Sequence, residues 1–212
     1  MEKAFKSARL TFHAFEDDVD QKSFFHKSIQ SDPTNFAQSD ISLFRPQSIK
    51  ASNETFSQIA KAPLAVMIYL TQEAKEDQSD GNNREEEKND KKGEGKEIPI
   101  GFLCLSTNPL ASYTHHRTCT LGLSIAAPYQ GKGYGSEAMN WAIDWAFRNG
   151  NFHSVGLLCL SFNTGAERLY ERLGFVREGV LRERLWFDGR WHDEIMFGMV
   201  RGDWERLRSL GQ

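Results

Sequence analysis

The chain has 212 residues, 39% hydrophobic and 26% charged, which is ordinary for a globular protein able to bury a core. Its net charge of −3 is unevenly spread: residues 73–97 carry ten acids and six bases, leaving 19 acids and 20 bases elsewhere. A near-neutral body without a basic stripe argues against nucleic acid as a partner, and the lack of an apolar leader or of an 18-residue apolar run argues against a membrane. Cys104, Cys119 and Cys159 are scattered and form no CxxC pair. No disulfide framework or metal site is therefore expected, and the protein reads as cytoplasmic, with the nucleus left open.

The first strand signal is Arg9–Phe15, followed by a helix over Asp17–Gln30. Asp32-Pro33 is expected to stop that helix, because the residue before proline is pushed away from helical backbone. A short helix is expected over Glu54–Ala60. Two apolar runs, Leu64–Leu70 and Ile98–Leu105, read as buried strands. Between them the charged block 73–97 has no aromatic residue and too little apolar surface to offset its ordering entropy. It is expected to be a disordered insert in a hairpin, within a single domain spanning 1–212. Long insertions cost little free energy.

Thr118–Ile125 is strand-like. Ser136–Asn149 places Ala138, Met139, Ala142, Ile143 and Ala146 on one helical face, and Gly150 stops it. Ser154–Phe162 reads as a buried strand. Thr164-Gly165-Ala166-Glu167 reads as a capping box that opens a helix with an apolar face of Ala166, Leu169, Tyr170 and Leu173. Phe175–Phe187 and Trp191–Val200 flank the Asp188-Gly189 turn as a hairpin. The alternation predicts an α/β fold with a mixed central sheet and helices on both faces.

A strand ends and a helix begins around Gln130-Gly131-Lys132-Gly133-Tyr134-Gly135-Ser136. Alternate glycines let successive N–H groups turn inward, and the helix N-terminus adds partial positive charge, so the loop suits a pyrophosphate. It fails the P-loop pattern, since Gly131-Lys132 is followed by Gly133. It fails the dinucleotide pattern, since Ser136 stands where the third glycine belongs. What remains is Gln130, Gly133 and Gly135 in the spacing Q-x-x-G-x-G.

That spacing resembles the signature of the GNAT acyltransferase superfamily. Asn163, Ala166, Leu169, Tyr170, Leu173, Gly174 and Phe175 resemble the family's N-x-x-A-x-x-L-Y-x-x-x-G-F block. Glu178-Gly179, Arg182, Asp188-Gly189-Arg190 and Asp193 resemble the tail of its ribosomal-protein-alanine and spermidine acetyltransferase branches. The resemblance implies a mostly antiparallel sheet with a parallel splayed pair at the cofactor site. It also implies acetyl-CoA as co-substrate, a primary-amine acceptor, and dimers as a common assembly. Pantetheine is expected along Leu123, Ser124 and Ile125, with a backbone N–H of Leu123 or Ile125 facing the thioester oxygen. The pyrophosphate is expected on Gln130–Ser136, with Lys132 and Tyr134 counted among its contacts. Asn163 is expected to bond the pantetheine arm, and Tyr170 to contact the cofactor and protonate the departing thiolate.

The base is not fixed by the sequence. Glu183, Asp193 and Glu194 on the C-terminal hairpin rank ahead of His115 and His116 as contacts for the acceptor ammonium. Cys159 lies within a strand, so direct transfer in a ternary complex is the simpler chemistry. A small amine (polyamine-like or another metabolite) is the favoured acceptor. A protein N-terminus or lysine is the alternative, and a non-catalytic acyl-CoA sensor is the third reading.

Overall fold

The computed structural model describes residues 4–39, 42–71, 97–107 and 111–209. The charged block read as an insert therefore lies outside the described residues, apart from Glu97. Seven strands form one sheet: β1 (Leu10–Ala14), β2 (Leu64–Leu70), β3 (Ile98–Ser106), β4 (Thr118–Ile125), β5 (Ser154–Leu160), β6 (Val176–Phe187) and β7 (Arg190–Val200). Their order is β1-β2-β3-β4-β5-β7-β6. Every neighbouring pair is antiparallel except β4 with β5, which run parallel.

Side chains alternate across this sheet with the strand period of two, and two apolar clusters result. Along β2, Val66, Ile68 and Leu70 join one cluster, while Met67 joins the other. The first cluster is capped by the helix α4 (Tyr134–Arg148) through Ala138, Met139, Ala142, Ile143, Ala146 and Phe147, all at most 1% exposed. Leu169 and Tyr170 of α5 (Thr164–Arg172) and Trp204 of α6 (Arg201–Leu207) pack onto the same face. The second cluster lies on the other face, under the N-terminal helices: Phe25, Ile29 and Phe56 meet Met67, Phe102 and Ala126.

The N-terminal helices differ in detail from expectation. α1 begins at Val19, capped by Asp18 accepting from the Gln21 N–H, and after Phe24 it widens into a π-helical stretch over Phe25–Gln30. Asp32-Pro33 ends that stretch and also opens α2 (Pro33–Ser39): the Asp32 carboxylate accepts the Asn35 N–H at 2.7 Å. Proline suits the first helical position because its missing N–H would have no partner there. α3 runs over Ile49–Ile59, starting earlier than expected because Ser48 caps it by accepting the Ala51 N–H.

One polar tie holds the start of β1 to the start of α4. Glu137 accepts from Ser7 Oγ at 2.6 Å, from the Arg9 N–H at 2.7 Å and from Arg9 Nε at 2.8 Å. The same guanidinium donates to the Lys132 carbonyl at 3.1 Å and lies 4.5 Å from the centre of the Tyr134 ring. Burial alone would push Glu137 up, but the hydrogen bonds from Ser7 and Arg9 outweigh it and hold the carboxyl below its ordinary 4.5. A lowered native value means that its contribution is complete above about pH 4.5 and is lost as pH falls through the native value. Glu137→Ala should lose about 1–3 kcal/mol in urea unfolding at pH 7, and its stability should fall less steeply with acidification than that of the parent chain.

Candidate functional site

The parallel pair β4–β5 holds together over three residue pairs only: Thr118 with Ser154, Cys119 with Val155 and Thr120 with Gly156. Both strands then continue, to Ile125 and Leu160, without pairing to each other. The backbone phase shows what faces the opening. Ala126 N–H bonds the Ile100 carbonyl at 2.8 Å. In this register the even residues of β4 bond β3, and the odd ones, Leu121, Leu123 and Ile125, aim their N–H and C=O groups toward β5. Ser161 N–H bonds the Asp193 carbonyl at 3.0 Å, so Leu158 and Leu160 likewise face β4. The splay is thus an unzipped parallel ladder with backbone groups on both rims.

Two of those groups are taken. The Leu160 carbonyl accepts the Asn163 N–H at 2.7 Å. The Ile125 carbonyl accepts from Gln130 Nε2 at 2.8 Å and from Asn35 Nδ2 at 3.1 Å. Asn35, only 3% exposed, also accepts from Ser124 Oγ at 2.6 Å, so a single side chain of α2 pins the end of β4. The N–H groups of Leu123 and Ile125 aim into the gap.

A cavity of about 970 Å³ occupies the splay. Of the residues singled out from the sequence it brings together Leu123, Ser124, Ile125, Gln130, Gly131, Gly133, Gly135, Ser136, Asn163 and Tyr170. Gly131 and Gly133 take φ of +73° and +83°, the left-handed region that favours glycine. Gly135 faces inward: a Cβ there would lie 3.4 Å from Leu123 Cδ2.

Lys132 and Tyr134 do not line the cavity. Lys132 Nζ reaches over the Tyr129 ring at 5.7 Å, and Tyr134 is buried beneath Arg9. Asn163, rather than Thr164, caps α5: its Oδ1 accepts the Ala166 N–H at 3.1 Å, and its Nδ2 reaches the Gln38 carbonyl at 3.4 Å. The expected capping box is thus replaced by a single Asn163 cap, because Ala166, three residues on, has no side-chain acceptor to complete a box.

Tyr170 packs against Phe197 and Phe175, with ring centres 5.7 and 6.3 Å away. Burial, reinforced by the neighbouring Cys159, pushes its phenol up to about 12. It therefore holds its proton throughout the neutral range. Burial likewise pushes the Cys159 thiol to about 11, and its Sγ points at backbone carbonyls, so it is no nucleophile at neutral pH.

Glu183 and Asp193 also lie off the cavity lining. Glu183 is exposed on a left-handed residue, φ +49°, and its N–H donates to Asp193 Oδ1 at 2.8 Å. The hairpin carboxylate that does line the cavity is Glu194, 5% exposed. Asn35 gave no usable signal in the sequence, because Asp32-Pro33 read as a stop.

The profile of the Acetyltransferase (GNAT) family matches residues 66–175, from mid-β2 to the residue before β6. The chain belongs to this family. It is 35% identical over 86 residues to the [ribosomal protein uS5]-alanine N-acetyltransferase of Escherichia coli, covering 41% of this chain and 44% of that protein. It is 38% identical over 78 residues to the spermidine N(1)-acetyltransferase of Vibrio cholerae, covering 37% and 45%. The matched stretch thus spans about half the length of these curated relatives.

The fold extends further than the sequence match. The crystal structure of spermidine N-acetyltransferase from Vibrio cholerae in complex with CoA and spermine superposes with a TM-score of 0.70 at 21% identity, covering 93% of this chain and 99% of that one. A GNAT-family acetyltransferase from Bacillus anthracis gives 0.67 at 19%, covering 92% and 97%. Among the described residues, no helix is long and apolar enough to cross a membrane.

Asn35→Ala should leave Ser124 Oγ and the Ile125 carbonyl short of a partner. A loss of about 1–3 kcal/mol in denaturant unfolding is expected. Faster amide exchange at the C-terminal end of β4, with β1 unaffected, would trace the loss to the splay.

Proposed function

We propose that the chain transfers an acetyl group from acetyl-CoA to a primary amine, by direct attack while both are bound. The observation that carries the reading is the unzipped end of the β4–β5 pair with the glycine loop at its mouth. An extended amide-bearing arm can bond to backbone groups on the rim of β4 as an added strand would. The inward-facing Gly135 and the left-handed Gly131 and Gly133 leave the backbone of the loop open to a pyrophosphate at the α4 N-terminus. About 970 Å³ lies at the upper end of the range for small-ligand sites and suits a long donor beside a compact acceptor.

Acetyl-CoA supplies an activated acetyl thioester to such a site. The N–H groups of Leu123 and Ile125 are aimed to donate to an acyl oxygen as negative charge grows on it. Gln130 steadies this end of β4 by donating to the Ile125 carbonyl. Asn163 contributes as the cap that sets the direction of α5 and as a polar group at the cavity wall. Tyr170 holds a proton for the departing sulfur. The desolvation that raises the phenol acts in the same direction on a thiolate formed beside it, so the transfer between them is not opposed.

Cys159 lies off the cavity lining with its thiol held protonated, so it offers no covalent acyl route. A small amine is favoured over a protein chain because the cavity carboxylate, Glu194, is buried within the pocket rather than displayed on a surface.

A CoA-release screen over polyamines, amino sugars, amino acids and peptides with an N-terminal alanine tests the assignment. Small primary amines should be acetylated with higher kcat/KM than the peptides, and peptides turning over faster would reverse the choice of acceptor. Tyr170→Phe should lower kcat by about 10²-fold with acetyl-CoA affinity intact. A kcat within a few-fold of the parent would remove Tyr170 from the proton transfer.

A further inference from the structure

The sheet separates the two ends of the cavity chemically. β5 and β7 pair Leu157 with Phe197, Cys159 with Ile195, Leu158 with Met196 and Leu160 with Glu194. Residues paired across an antiparallel ladder share a face. Leu157, Cys159, Ile195 and Phe197 all belong to the cluster beneath α4 and α5, and Tyr170 meets Phe197 edge to face. Glu194, Leu160 and Leu158 therefore occupy the opposite face, the side on which Asn35 of α2 bonds Ser124. Tyr170 and Glu194 reach the same cavity from opposite faces of the sheet, with the splay between them.

A carboxylate this buried needs a countercharge, because desolvation penalises an unpaired anion. Its one ion-pair partner among the described residues is loose: Arg184 Nε lies 3.9 Å from Oε2, and the Arg184 side chain is 63% exposed. Arg184 holds this contact at long range from the solvent side, so an incoming cation that sits closer to the buried carboxylate can take its place without leaving Glu194 unpaired. The other two hairpin carboxylates are differently placed, Glu183 in solvent and Asp193 bonded to the Glu183 N–H.

We propose that Glu194 is the residue that receives the acceptor's ammonium and takes its proton, with Arg184 as the resting counter-ion that the ammonium displaces. This rests on the acetyltransferase reading above and adds the acceptor class: an aliphatic primary amine, its cation against Glu194 and its stem along Leu158, Leu160 and Phe162. The protons balance. Glu194 takes one from the ammonium and passes it to water through the cavity. The nitrogen lone pair forms the C–N bond as the C–S bond breaks. Tyr170 gives its proton to sulfur, and the second amine proton restores the phenol.

The test uses the full chain saturated with CoA, so that binding is read without turnover. Calorimetry with n-butylamine and spermidine should show Glu194→Gln weakening amine affinity by tenfold or more, with CoA affinity within about twofold of the parent. Arg184→Ala should tighten amine binding, and n-butanol, the uncharged counterpart, should bind no differently to parent and Glu194→Gln.

Alongside, kcat/KM of Glu194→Gln should fall by about 10²-fold at pH 7 and recover as pH rises, when the amine arrives already deprotonated. Glu194→Gln binding and acetylating n-butylamine as the parent does would overturn the proposal. So would a larger loss in Glu183→Gln, or a parent chain that binds neither amine. A parent chain that binds amines through Glu194 yet releases no CoA with any of them would sink the acetyltransferase reading and leave Glu194 as an ammonium site.

Discussion

The architecture depends on a hydrogen-bond ladder that stops. Parallel strands gain their stability from regular pairing, and an unzipped end leaves backbone groups that must find other partners. Here β4 and β5 separate after Thr120 and Gly156, and neighbouring elements absorb the consequence. Asn35 and Gln130 cover the Ile125 carbonyl, and the turn at Asn163 covers that of Leu160. What they leave uncovered is the rim along β4, which is the part a ligand can use. The gap is therefore built as much by α2 and by the two loops as by the strands.

Around this gap the helices divide by chemistry. α4 and α5 close one face with a dense apolar layer, and that layer supplies the desolvation that keeps the Tyr170 phenol and the Cys159 thiol protonated. The other face, toward α2, carries polar side chains at the cavity: Ser124, Asn35 and Glu194 lie there beside Leu158 and Leu160. Proton retention on one side and negative charge on the other both follow from how the strands alternate. The same period of two that builds the core also sorts the functional groups.

How much of this could be read along the chain follows the range of the interactions. The glycine loop, Asn163 and Tyr170 were legible because each sits in a local pattern, a turn entering a helix or a residue on a helical face. The mostly antiparallel sheet and its parallel pair followed from the resemblance those patterns carried. Asp32-Pro33 was ambiguous because proline both ends one helix and begins the next, and with α2 unseen Asn35 had no reason to stand out. Lys132 and Tyr134 sit inside the motif yet turn to Tyr129 and Arg9, partners set by tertiary packing.

The hairpin carboxylates could not be ranked from sequence. The β6–β7 ladder shifts register between Arg177 and Gly179 and again between Leu181 and Leu185, so alternation along β6 does not tell which face a residue takes. Glu194 acquires its place only once β7 is registered against β5.

The tie from Arg9 to Glu137 spans 128 positions along the chain, and it holds the glycine loop through the Lys132 carbonyl. A contact of that range waits until β2, β3 and β4 have brought the start of β1 alongside the start of α4. β1 can pair with β2, and α4 can coil, before the two are joined. The mouth of the cavity is then among the last parts to set, so a nascent or partly unfolded chain holds much of its sheet before the glycine loop is fixed in place. Fixing of that loop would accordingly report the completion of folding rather than its onset.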